Sequence, residues 1–176
     1  PESSAMCGSC HDIVLDNGFH LERTYEEWRG SLFATEDATR QSCGHCHTRT
    51  ATGTAAIGGP SRRIHDHRMV GVDVALTEFP DTEAQEAAIQ EELDYTLLAT
   101  LCVLPIVAGS EVVLNLENVS GHRWPSGATH DRRAWAEVSA WKGDELLLQT
   151  GVVPEGVPVS ETEDADRWEM HDLALN

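Results

Sequence analysis

Apolar positions follow no sustained period over residues 1–80, whereas from Asp81 onward a helical pattern and then an alternating one take over. In the first part, Thr24-Tyr25-Glu26-Glu27 fits a capping box, which predicts a short helix from Tyr25 to about Ala34. Thr50 to Ser61 is rich in Gly, Thr and Ala and reads as a loop. Asp81 to Asp94 is acidic and Ala-rich, without Gly or Pro, and Thr82 to Gln85 offers a second cap. It predicts a helix whose thin apolar face (Ala84, Ala88, Ile89, Leu93) belongs on a surface.

Beyond that helix the period becomes two. Val112, Leu114 and Leu116 alternate with Glu111, Asn115 and Glu117, the signature of a half-buried strand. Ala134, Ala136, Val138 and Ala140 alternate with Arg133, Trp135, Glu137 and Trp141, and Leu146 with Leu148 marks a third strand after a Lys142-Gly143-Asp144 turn. Leu97 to Leu104 supplies a fourth. The expectation is an α+β chain in two parts: a region rich in loops and short helices over residues 1–80, then an acidic helix and a small antiparallel β-sandwich-like domain over 81–176.

Composition narrows the partners. Thirty acidic against twelve basic residues give a net charge of −18. Such a chain does not suit nucleic acid, whose phosphates need Lys and Arg, nor an anionic membrane surface. It suits a partner with a basic docking face, whose approach the field accelerates, or it simply confers solubility. No apolar run reaches the roughly 18–20 residues of a membrane span.

Cysteine spacing carries the chemistry. Four of five cysteines form two pairs, each followed at once by histidine: Cys7-Gly8-Ser9-Cys10-His11 and Cys43-Gly44-His45-Cys46-His47. In C-x-x-C-H each thiol adds across a haem vinyl group, and the adjacent imidazole meets the iron from the same side of the macrocycle. Two such motifs predict two haem c groups, on Cys7, Cys10, Cys43 and Cys46, with His11 and His47 as axial ligands. Zinc on the four cysteines and a dithiol redox centre are the competing readings, but zinc leaves the histidine after each pair unexplained. Cys102, in an apolar run, is expected as a buried thiol. Covalent haem attachment is normally completed outside the cytoplasm, so the expected location is periplasmic or extracellular. The start at Pro1 is expected to follow a cleaved leader or to belong to a longer protein.

The sixth ligand of each iron decides function, because a second histidine suits electron transfer and an open face permits substrate chemistry. His67 is the first candidate. His122 follows, in Gly121-His122-Arg123-Trp124-Pro125-Ser126-Gly127, where Gly and Pro hold a sharp loop, and His20 ranks third. Arg123, Arg132 and Arg133 are candidate partners of haem propionates, or else balance nearby carboxylates. Trp28, Trp124 and Trp135 suit packing on a macrocycle or an ordinary core.

These stretches carry a resemblance. The chain resembles bacterial multihaem c-type cytochromes in which a Cys-x-x-Cys-His region precedes a β-rich domain with a Gly-His-x-x-Pro-x-Gly motif. The matching residues are the haem motif followed by His20 to Trp28, then His67-Arg68-Met69-Val70-Gly71, then Gly121 to Gly127 with Asp131 to Trp135 behind, together spanning most of the chain. The resemblance implies electron transfer and distal ligation by His67 and His122. Members commonly have Thr where this chain has Ser126, and many carry more haems. The expected function is one-electron relay between redox partners with both irons bis-His ligated. A haem enzyme with one open iron and a conducting subunit of a larger assembly or filament are the alternatives.

Overall fold

Short runs of helix-forming residues bounded by glycine or by extended backbone yield short helices here, and period-two runs yield hairpins. The computed structural model describes residues 4–75, 77–127, 130 and 132–171. Its helices are α1 (Ser4–Gly8), α2 (Thr24–Arg29), α3 (Cys43–His47) and α4 (Thr82–Leu93). Its strands are β1 (Ile13–Val14), β2 (His20–Glu22), β3 (Thr50–Thr54), β4 (Ser61–His65), β5 (Leu97–Ile106), β6 (Gly109–Asn118), β7 (Arg133–Trp135), β8 (Val138–Lys142), β9 (Glu145–Thr150) and β10 (Glu169–His171). The chain is thus α+β, with few helices and several small antiparallel sheets, each of two strands. It divides into two compact units: Pro1–Ile13 with Arg23–Trp124, and Val14–Glu22 with Pro125–Asn176.

In the first unit, α1 and α3 carry the two Cys-x-x-Cys-His motifs and lie together. Ser4 and Ser42 are the buried polar residues among those described, and both serve these helices. Ser4 Oγ accepts from the Cys43 amide at 3.1 Å, satisfying one of the amides that a helix start leaves without a partner. α2 is tied to the first motif because the Tyr25 amide donates to the His11 carbonyl at 2.9 Å. The Tyr25 ring lies over Gly8, so closely that a Cβ there would sit 2.5 Å from it. Tyr25 also stacks on Trp28, with ring centroids 5.7 Å apart.

Several expectations shift by a residue or an element. α2 starts at Thr24 with Arg23 as its N-cap, so Thr24 is not the capping residue, and Arg23 pairs with Asp12 at 2.5 Å. The helix stops at Gly30 rather than reaching Ala34. Extended Ser31 then caps a separate 3₁₀ turn, Leu32–Ala34, by accepting from the Phe33 amide. The segment read as a loop is a hairpin, β3 with β4, paired from Thr50↔His65 to Thr54↔Ser61. Thr50, Thr52 and Thr54 are β-branched on alternate positions, and Gly53 leaves room for the Ile64 side chain, so strand pairing overrides a loop-like composition. α4 falls where expected, but Asp81 holds the N-cap position, Thr82 Oγ1 donates to the Phe79 carbonyl, and Gln85 accepts from the Ala75 amide. Its face is indeed thin, with Ile89 its one buried side chain.

β5 and β6 pair from Leu97↔Asn118 to Ile106↔Gly109. They are exposed almost throughout, against the half-buried strand expected of 112–116. Cys102 is exposed as well, not buried: an apolar run buries a thiol only where another layer covers the strand.

In the second unit the long alternating segment is split. β7 pairs with β10, β8 pairs with β9, and the Ala136 amide between them donates to the Trp168 carbonyl. Gly151, at φ +76, makes the split possible, since a Cβ there would run into the Ala136 carbonyl. The turn at Lys142-Gly143-Asp144 is as expected, with Gly143 at φ +60 heading a two-residue loop. Asp164 accepts from the Thr150 hydroxyl, the Gly151 amide and the Asp166 amide, and these bonds hold its carboxyl below the usual Asp range. Among the described residues, Val159 is the buried apolar side chain of this unit.

The Gly8–Tyr25 contact yields a direct test. Gly8→Ala is expected to cost about 1–3 kcal/mol through overpacking. Gly44→Ala, whose added methyl would meet the Thr48 hydroxyl at 3.3 Å and the Ser42 hydroxyl at 3.7 Å, is expected to cost clearly less. Urea unfolding of the two variants measures the difference, and equal losses would contradict the contact.

Candidate functional site

α3 presents Cys43, Cys46 and His47 within two helical turns, and its N-terminus is held by an unusual cap. His45 reaches back so that its Nδ1 accepts from the Ser42 amide at 3.0 Å, the position a glutamate takes in a capping box. That bond puts the His45 proton on Nε2 and gives the middle histidine of the motif a structural task.

The His47 ring is fixed from its other side. Its Nδ1 lies 2.8 Å from the Val70 carbonyl. A carbonyl only accepts, so Nδ1 carries the proton and the Nε2 lone pair is left for another partner. Val70 is aimed by the turn before it. Asp66 accepts from the Arg68 amide at 3.0 Å and from the Arg68 guanidinium at 2.7 Å. Met69 then takes the left-handed conformation at φ +50, the one non-glycine with positive φ among the described residues. Arg49, just past the motif, pairs with Glu91 and Glu92 and so ties α4 to the same region.

His122 is held in the corresponding way. The Asn118 amide and the Ser120 hydroxyl each donate to its carbonyl at 2.8 Å. Gly121 runs close against the rings of Trp28 and Phe33, where a Cβ would lie 3.3 and 3.4 Å away. The Arg123 amide donates to Glu27 at 3.2 Å. The imidazole Nδ1 donates to the Arg123 carbonyl at 2.9 Å, again leaving Nε2.

The two rings so prepared face the same region. The centroids of His47 and His122 are 6.4 Å apart and their planes differ by 10°. Bonds of about 2.0 Å from a metal to each imidazole nitrogen, plus about 1.15 Å from nitrogen to ring centre, put two ligands of one ion about 6.3 Å apart. An offset stack has a similar span. The Nδ1 bonds to carbonyls favour ligation, because they are the outer-shell contacts that orient a metal-binding histidine. That spacing and those Nδ1 bonds suit a metal held between His47 and His122, as the spacing suits a stacked pair.

The two motifs also meet at their first cysteines. The Cys7 thiol hydrogen-bonds the Cys43 thiol; partial burial, with Cys43 against it, pushes the Cys7 thiol up. Among the described residues, no three His, Cys, Asp or Glu side chains converge on one point as they do around a zinc ion.

The remaining candidates are dispersed. His11 and Cys10 are exposed at the end of the first motif. His67 is exposed in the segment after β4, and His20 opens β2 in the second unit. Arg123 is 79% exposed, with Glu27 4.0 Å away. Arg132 lies in the second unit with its guanidinium near Gly127. Arg133 pairs with Glu169 at 3.5 Å, the carboxylate-balancing role. Trp28 donates to the Gln41 carbonyl, and Trp135 donates to that of Gly151. Asp131 of the stretch behind Gly127 lies outside the described residues. Sequence reasoning missed the Val70 and Arg123 carbonyls, because a main-chain acceptor leaves no trace in residue identity. In comparisons with known proteins, no family model, curated protein or solved structure matches the chain.

Met69 gives the site its own test. Met69→Gly removes the cost of a left-handed side chain, about 1 kcal/mol, and is expected to be neutral or mildly stabilising. Met69→Val is expected to destabilise, because a β-branched side chain resists positive φ. Chemical denaturation distinguishes them, and an equal loss for both would contradict a backbone role for this turn.

Proposed function

We propose that this chain is a dihaem c-type cytochrome of the multihaem class, relaying single electrons between redox partners outside the cytoplasm. The observation that carries the reading is the near-parallel His47–His122 pair at ligand spacing, with His47 the histidine of a Cys-x-x-Cys-His motif. Cys43 and Cys46 hold one haem covalently and Cys7 and Cys10 the other. His47 and His122 would hold the iron of the first, and His11 that of the second. The second iron would then be closed by His67, which lies in the same unit as His11. Haem supplies a ferric–ferrous one-electron couple.

The protein's part is to hold and tune. The Val70 and Arg123 carbonyls accept hydrogen bonds from Nδ1 of the two imidazoles, which fixes each ring. Two histidines on one iron leave no face for substrate, which favours a carrier over an enzyme. Contact between α1 and α3, through Ser4–Cys43 and Cys7–Cys43, brings the two attachment sites together, as a relay requires. Arg123, next to the ligand His122 and largely exposed, is a propionate partner in this reading. The net charge of −18 favours the ferric form and partners with basic docking faces.

Spectroscopy of the holoprotein tests the proposal. The ferric electron-paramagnetic-resonance spectrum is expected to be low-spin at both haems, and the reduced protein to ignore carbon monoxide. His122→Ala is expected to open one iron, so that half of the haem binds the gas while the other half does not. Carbon monoxide binding by the unsubstituted protein, or none in the variant, would sink the assignment of His122.

A further inference from the structure

α3 is five residues long, too short to hold itself in water. Its start is fixed by the middle histidine of its own motif. The amide and the hydroxyl of Ser42 both lie 3.0 Å from His45 Nδ1. An amide N–H only donates, so Nδ1 is the acceptor and the hydroxyl donates to it as well. Ser42 is 4% exposed, so without that acceptor its amide would lose its partner where little water reaches. The far end is closed by Thr48, whose amide and hydroxyl donate to the Gly44 carbonyl at 3.2 and 2.6 Å. Both cysteines and the last histidine of the second motif thus stand on one capped helical segment.

The first motif is built differently. α1 ends at Gly8, so Cys7 is helical while Cys10 and His11 lie beyond the helix. Met6 stands where the second motif has Ser42, and Ser9 where it has His45. Met6 lies inside α1 rather than before it, and the Ser9 hydroxyl donates to the Met6 carbonyl at 2.7 Å. No capping box precedes this motif.

We propose that His45 is a positioning residue for haem attachment at Cys43 and Cys46. This role rests on the haem c reading proposed above. In attachment each thiol adds across a vinyl group: sulfur bonds one carbon and the thiol hydrogen goes to the other, so nothing is oxidised and nothing leaves. Two additions on one macrocycle need both sulfurs at a fixed separation and the His47 imidazole on the same side. That is a demand on the backbone between Ser42 and Thr48, and the cap meets it with the chain's own groups. The cap asks of position 45 only a neutral acceptor that reaches back to Ser42. Glutamine supplies one in a capping box and alanine does not. Alanine is the better helix former, so intrinsic propensity alone would favour it.

Peptide mass spectrometry of the full chain, produced with c-type maturation under limiting haem, reads the fraction of each motif that carries haem. His45→Ala is expected to lower haem on the Cys43–Cys46 peptide several-fold relative to the Cys7–Cys10 peptide. His45→Gln is expected to restore the parent ratio, which a merely bulky side chain would not do. An unchanged ratio in His45→Ala, an equal fall at both motifs, or a His45→Gln no better than His45→Ala would overturn the role of His45 and leave the haem reading in place. Haem on neither motif of the parent chain would overturn both.

Discussion

Two imidazoles held 6.4 Å apart and nearly parallel, each tied through Nδ1 to a main-chain carbonyl, organise the first unit. Much of what surrounds them serves to aim those carbonyls. The Asp66–Arg68 turn and the left-handed Met69 direct Val70 towards His47, and Asn118 with Ser120 pins the loop that carries His122. Neither ring is held by carboxylates, so its orientation rests on backbone geometry. That makes the site sensitive to loop conformation.

The protein's own packing is thin around this pair. Ile89 and Val159 are the buried apolar side chains among the described residues, and they lie in different units. Hydrogen bonds and close glycine contacts do what a large aliphatic core does elsewhere: Ser4 joins α1 to α3, Tyr25 lies on Gly8, and the Trp28 indole donates to Gln41. In the reading proposed above, a covalently held macrocycle would bring to this region a large apolar surface that the first unit's own buried side chains do not supply. The β5–β6 ribbon, too, is exposed almost throughout.

The legible features were those encoded by local identity. Cys-x-x-Cys-His spacing, the helix over 82–93, the Gly143 turn and the extended character of 97–106 all follow from nearby residues. What escaped reading depends on partners far along the chain. Thr50 to Thr54 became a strand because Ser61 to His65 pairs with it, and the strand through Ala136 broke because Trp168 and Gly151 claim that residue. Cys102 looked buried because an apolar run does not reveal whether a second layer exists. His122 was legible as a candidate, but its pairing with His47 needed coordinates, and so did the capping role of His45.

Intact-mass spectrometry of the denatured protein, produced with c-type maturation, tests the central claim most directly. Covalent attachment at Cys7, Cys10, Cys43 and Cys46 predicts the chain mass plus two haems, and of the five cysteines a single alkylatable thiol, Cys102. A bare chain mass with all five thiols alkylatable, or haem lost on denaturation, would contradict it.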